Sequence, residues 1–322
     1  MYGWVRRYLE KEIMATEDKK KNTGIPTADG NSKSAFSRGK KILVIALSVI
    51  CSVIIFFVGV FGGMWLGCQY NRNTLRYWEP DYQQIDIAPI LEKQTLTDED
   101  YETLYRQTGL TKVGVDDLWG TIAGKNKIRS IQNGFFQKRT IERYMFGPMV
   151  YTEEIVYENS SELPIITNLK DGDILVSTSM YFSWWRFGHA GLVIDGNGRR
   201  LVEAFEMGYP SDITHASSFA YRANFIVLRP KVDEAVKKQV VEYAKEELVG
   251  LSYDFMVGLT SKKYLETPKS THCSHIVWTA YKQFGVDLDF NGGKVVTPRD
   301  MMKSDKMEIV QVFGLDLDEL WV

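Results

Sequence analysis

The longest feature of the hydrophobic pattern is a stretch without a charge. From Ile42 to Cys68 the chain reads ILVIALSVICSVIIFFVGVFGGMWLGC. A helix rises about 1.5 Å per residue, so about 20 apolar residues cross the hydrocarbon core of a bilayer. The pattern predicts a transmembrane helix over 42–67, long enough to tilt. A cleavable signal has an apolar core of roughly 7–15 residues. Here the run is longer and starts only at Ile42, so an uncleaved anchor is expected.

Residues 1–41 read as a tail. Residues 17–41 are polar, with a Lys19-Lys20-Lys21 run, which is the composition of a disordered segment. Tyr2, Trp4, Val5, Tyr8 and Leu9 give residues 2–14 the face of a short interfacial helix.

Beyond the anchor, residues 68–145 read as a helical spacer. Thr97 and Asp100 form a helix start signal. Tyr101, Leu104 and Tyr105 follow at helical spacing, and Gly109 supplies a stop. Val115, Leu118 and Trp119 mark a second helix. Ile128, Ile131, Phe135 and Phe136 mark a third.

From residue 146 to 322 the texture changes to short strands. Residues 149–157 alternate in part, and residues 173–177 follow a Lys170-Asp171-Gly172 turn. Residues 190–194 and 201–205 flank Asp195-Gly196-Asn197-Gly198, a strong hairpin signal. Residues 225–230 form another strand, closed by Pro230. Residues 232–249 carry Val236, Val240, Val241, Ala244 and Leu248 on one helical face. A second helix follows Cys273, with Ile276, Val277, Ala280, Tyr281 and Phe284 on one face and a stop at Gly285. Antiparallel strands with a few helices predict an α+β domain.

Composition narrows the function classes. The 322 residues carry a net charge of −2, which excludes a strongly basic nucleic-acid binder. With 44% hydrophobic residues the chain is not disordered as a whole. Lys33, Arg38, Lys40 and Lys41 precede the apolar run, while only Arg72 and Arg76 follow closely. The positive-inside bias sets the N-terminus in the cytoplasm and the C-terminal domain outside the cell membrane. An alternative for the anchor is lipidation. Trp65-Leu66-Gly67-Cys68 faintly resembles a bacterial lipobox, with Trp65 where that motif prefers leucine.

Cys51 and Cys68 belong to the apolar run, so the exported part holds one thiol, Cys273. An unpaired thiol there calls for reactivity or pairing with another chain, against the simpler role of a small buried hydrophobe. Cys273 opens a helix, whose unpaired N–H groups and dipole favour a thiolate. Its base is one of four histidines. His272 and His275 flank it but do not face it on a helix, and read as a solvated and a packing residue. His215 sits in a polar, exposed loop. His189 starts a strand among small residues and can face a cleft. A turn that pairs Ile194 with Gly198 sets His189 directly opposite Glu203, with Cβ atoms roughly 5 Å apart. Glu203 would then orient the imidazole, with Glu206 as an alternative. His272, Cys273 and His275 lack the separated ligand pairs of a zinc site, and no P-loop or dinucleotide fingerprint is present, so no cofactor or metal is expected.

Together these stretches carry a resemblance. Gly172-Asp173-Ile174-Leu175, Gly188-His189-Ala190-Gly191, Val202-Glu203-Ala204, Val227-Leu228-Arg229-Pro230, Leu251-Ser252-Tyr253-Asp254, Cys273-Ser274-His275-Ile276-Val277-Trp278 and Val296-Thr297-Pro298-Arg299-Asp300 follow in order. Residues 165–315 thereby resemble the permuted papain-like cysteine hydrolases of the NlpC superfamily, YiiX-like group. The resemblance implies a permuted papain-like fold with an antiparallel sheet against helices. It implies Cys273 as nucleophile, His189 as base and Glu203 as the orienting residue. Many members carry glutamate or lysine where His275 stands, so substrate preference can differ.

The expectation is a membrane-anchored thiol hydrolase of amide bonds, with cell-wall peptide (peptidoglycan) as substrate. One alternative is a lipid acyltransferase or amidase of the lecithin-retinol acyltransferase type. Another is a non-catalytic binding module on the same fold.

Overall fold

The computed structural model describes residues 31–147 and 149–320. The interfacial helix expected over 2–14 lies outside them, as does most of the polar tail. Contacts divide the chain into one unit up to Gly62 and another from Gly63 onward.

Helix α1, Asn31–Asn73, contains the apolar run. It is long and apolar enough to cross a membrane, with a mean hydropathy of 3.0 in its most apolar window. Helix already begins at Asn31, so residues 31–41, expected as tail, continue the same rod. Within the C-terminal unit its last turns are seated. Asn71 Nδ2 donates to the Ser183 carbonyl at 2.5 Å, and Ser183 Oγ donates to the Met64 carbonyl at 3.0 Å. Cys68 is buried there.

The next helices are α2, Ala88–Leu91; α3, Asp98–Thr108; α4, Lys112–Trp119; and α5, Ile122–Phe136. Helix α3 has the predicted start and stop. The Thr97 side chain accepts from the Asp100 N–H, Asp100 returns a bond to the Thr97 N–H, and Gly109 adopts φ 71°. Leu91, Leu104, Leu110, Val115, Leu118, Ile128 and Ile131 form a separate small core among these helices. The group docks on the last strand of the main sheet. Gly109 is required there, because a Cβ at that position would meet the Val312 carbonyl oxygen at 2.0 Å.

The strands are β1, Thr140–Gly147; β2, Val150–Val156; β3, Ile174–Ser177; β4, Met180–Phe182; β5, His189–Asp195; β6, Arg200–Glu203; β7, Asp212–His215; β8, Phe225–Pro230; β9, Ser252–Tyr253; β10, Ser270–Thr271; and β11, Met307–Phe313. Six form an antiparallel sheet in the order β11-β8-β3-β5-β6-β7. A second antiparallel sheet, β1-β2-β4, opens at Thr140, inside the stretch read as helical spacer. The remaining helices are α6, Ser217–Ala220; α7, Glu234–Glu247; α8, Cys273–Lys282; and α9, Pro298–Lys303. Helices α7 and α8 lie on the main sheet, and α8 packs against β5 and β6. The architecture is mixed α+β with antiparallel sheets, as the alternation and caps predict.

The β5–β6 hairpin differs in register. Leu192 pairs with Val202 and Val193 with Leu201, then a bulge shifts the ladder so that Asp195 pairs with Arg200. Extended, this register sets Gly191 opposite Glu203. His189 is therefore a diagonal neighbour of Glu203, one step along the same face.

Arg229 ties the helical group to the sheet. Its Nε and Nη2 each donate to Asp173 at 2.8 Å, and Nη1 donates to Asp117 of α4 at 2.5 Å. Arg229→Met leaves the buried Asp173 carboxylate uncompensated, a change that costs about 3–5 kcal/mol. The expected outcome is a marked fall in the urea midpoint of the full chain in detergent. An unchanged midpoint would refute this role.

Candidate active site

Cys273 is delivered by a short parallel pair. Strands β9 and β10 align Ser252 with Ser270 and Tyr253 with Thr271, and α8 starts two residues later. Cys273 is thus the first helical residue, and Ile276, Val277, Ala280 and Tyr281 are buried behind it. The Tyr281 hydroxyl donates to the Gly172 carbonyl at 2.5 Å and fixes the helix against the β3 turn. The Ser274 hydroxyl donates to the Val296 carbonyl at 2.8 Å and holds the loop before α9 across the thiol.

His189 begins β5, the strand on which α8 rests. Its Nε2 lies 2.6 Å from Glu203 Oε2. The second Glu203 oxygen accepts from the Thr214 hydroxyl at 2.6 Å. Glu203 reaches diagonally over Gly191, where a Cβ would lie 3.6 Å from Oε2. Phe205 meets the imidazole edge-on at 5.4 Å, and Phe219 stacks on it at 5.5 Å. With Nε2 committed to Glu203, Nδ1 is the nitrogen left to serve the sulfur, and it is buried with no hydrogen-bond partner among the described residues. Cys273, His189 and Glu203 are only 4%, 1% and 4% exposed.

The electrostatics follow from this geometry. Burial opposes ionisation of the Cys273 thiol, but the neighbouring imidazoles of His189 and His272 outweigh it and bring the pKa down to about 5. Burial and the Arg222 charge push His189 down, yet Cys273 and Glu203 together raise it above the ordinary value. Burial pushes the Glu203 carboxyl up, and bonds from His189 and Thr214 pull it below the usual range. Both shifts, the thiol down and the imidazole up, favour an imidazolium–thiolate pair, the state in which cysteine is a nucleophile.

Two residues here escape the sequence patterns. His272, expected as solvated, is 4% exposed. It caps α8, and its Nδ1 accepts from the His275 N–H at 3.4 Å. Arg222 is buried behind the imidazole, with its guanidinium 5.3 Å from the Phe219 ring and 5.6 Å from Phe205. His275 packs inside the domain, with Nε2 2.6 Å from the Lys263 carbonyl, and His215 is exposed as expected. Glu206 lies on the wall of a neighbouring groove.

A narrow pocket over Cys273 is lined by Trp185, Phe187, Tyr253, Phe255, His272 and Pro298, among others. It shares Phe187, Tyr253 and Phe255 with an apolar groove of about 490 Å³. Phe146, Val150, Met180, Phe182, Phe205 and Met207 form the rest of the groove's apolar lining. Among the described residues no cluster of His, Cys, Asp and Glu is arranged to hold a metal ion.

No family model matches the chain, and no solved structure matches it. The chain is similar to the uncharacterized protein YycO of Bacillus subtilis (strain 168), at 29% identity over 133 residues. That stretch is 39% of this chain and 50% of the relative, so the chain spans about half the length of the curated relative it matches.

The lowered thiol pKa has a direct readout. Alkylation of Cys273 by iodoacetamide should hold its rate down to about pH 5 and fall below it, read peptide by peptide to separate Cys51 and Cys68. An unperturbed thiol would lose rate already below about pH 8.5. Glu203→Gln removes a group that favours charged His189, so the thiol pKa rises and the midpoint moves up. A wild-type midpoint near 8.5 would contradict the pair.

Proposed function

We propose that this protein is a membrane-anchored thiol hydrolase of amide bonds, with Cys273 as nucleophile, His189 as acid–base and Glu203 as its orienting partner. The observation that carries the reading is the buried line from Cys273 through His189 to Glu203, with the thiol near pKa 5. The Cys273 thiolate adds to the carbonyl carbon, and charge collects on the carbonyl oxygen. As the C–N bond breaks, His189 gives its proton to the leaving amine. His189 then takes a proton from water as that water attacks the thioester, and the acid leaves with thiolate and imidazolium restored.

The domain is best read as a permuted papain-like fold. The histidine strand precedes the cysteine helix in the chain, and the sheet between them is antiparallel. Helix α1 supports membrane attachment, and the flanking lysines and arginines support a cytoplasmic N-terminus with the catalytic domain outside. An outward-facing domain meets cell-wall peptide, which is the substrate proposed.

The apolar groove favours a second reading, a lipid amidase or acyltransferase. Its volume of about 490 Å³ and its phenylalanine and methionine walls suit an acyl chain. It also borders the loop on which the end of the apolar helix is seated.

Purified full-length protein should release free amine from muropeptides. Cys273→Ala should abolish the release, and His189→Ala should slow it by about 10²–10⁴-fold. Activity confined to acylated lipids in phospholipid vesicles would select the second reading. Undiminished hydrolysis by Cys273→Ala would overturn both.

A further inference from the structure

A second imidazole stands at Cys273, and the steps above leave it unused. His272 lines the nucleophile pocket and is buried. Its tautomer follows from its cap. The His275 backbone N–H points at Nδ1 and cannot rotate away, so Nδ1 is the acceptor. The Ser274 oxygen, 3.4 Å from the same nitrogen, sends its hydrogen to Val296 instead. The ring hydrogen therefore sits on Nε2. Nε2 is buried and has no hydrogen-bond partner. An unpaired buried donor costs about 1–3 kcal/mol, so its retention beside a nucleophile calls for a use.

The first turn of α8 adds to this. Its leading N–H groups, those of Cys273 and Ser274, have no acceptor within the helix. They lie in the same first turn as Cys273, at the positive end of the helix dipole. A thiolate that attacks a carbonyl leaves negative charge on an oxygen within a bond length or two of itself. Donors fixed around that position stabilise the charge without reorganising.

We propose that His272 donates from Nε2 to the carbonyl oxygen attacked by Cys273 and, with the first-turn N–H groups of α8, forms the oxyanion site. This proposal rests on the acyl-transfer reading of Cys273. It assigns the two imidazoles different work: His189 moves the proton, and His272 holds the oxygen. Both approach the sulfur, but only His189 has a carboxylate behind it.

Two probes separate these roles. Acylation by p-nitrophenyl acetate passes through an oxyanion, whereas alkylation by iodoacetamide does not. His272→Asn keeps an acceptor for the His275 N–H, since asparagine is a favoured N-cap, but its amide is too short to reach the Nε2 position. His272→Gln keeps a donor near the Nε2 position and gives up the cap. In the full chain at pH 7.5, His272→Asn should slow the p-nitrophenol burst by about 100-fold. The alkylation rate should stay within about 3-fold, because a thiol near pKa 5 is fully ionised at that pH even after a moderate rise. His272→Gln should retain the burst within about 10-fold. An equal loss with both probes would make His272 a support for the thiolate and overturn the proposal, as would a burst unaffected by His272→Asn. A burst that persists in Cys273→Ala would sink the acyl-transfer reading itself, and the proposal with it.

Discussion

The structure around the site depends on the seating of α8 on the start of β5. Ile276, Val277, Ala280 and Tyr281 are buried against the sheet. Large apolar side chains of this kind contribute about 1.5–3 kcal/mol each when fully buried. That burial fixes the helix axis, and the axis fixes where its N-terminus points. Cys273 is the first helical residue, so the sulfur is carried onto His189 by contacts in which neither takes part. The cap by His272 and the bond from Ser274 to Val296 then close the pocket over the thiol. Without the apolar face there is no reason for a polar cysteine, two histidines and a glutamate to share a dry interior.

Local signals in the chain were legible and nonlocal ones were not. The apolar run, the Thr97 capping box, the Gly109 stop and the hairpin around Gly196 each depend on neighbours within a few positions. The register of that hairpin departs from the expected one because a bulge between Val193 and Asp195 cannot be read from turn composition. The contact between His189 and Glu203 survives the error because a two-residue slip keeps both on one face, and the side chains span the diagonal. His272 departs from its expected exposure for a different reason. Neighbours one apart do not face each other inside a helix, but His272 is the cap. Its backbone is extended, with φ −131° and ψ 174°, so the helical rule does not govern it. Arg222 and the groove had no local signal, since segments distant in sequence build them.

Burying four ionisable groups together is costly unless their charges alternate. Arg222, Glu203, His189 and Cys273 run positive, negative, positive, negative when the thiol has given up its proton. Each buried charge then has an opposite neighbour, and the cluster is neutral as a whole. The Glu203 charge favours the imidazolium, and the imidazolium favours the thiolate. Arg222 acts against the imidazolium through space while balancing Glu203. Without that cation the ionised cluster would carry a net negative charge in a low dielectric, and an attacked carbonyl would add to it. The guanidinium thus offsets the charge of the buried Glu203 carboxylate. It lies over the faces of Phe205 and Phe219, and the two Glu203 oxygens are held by His189 and Thr214.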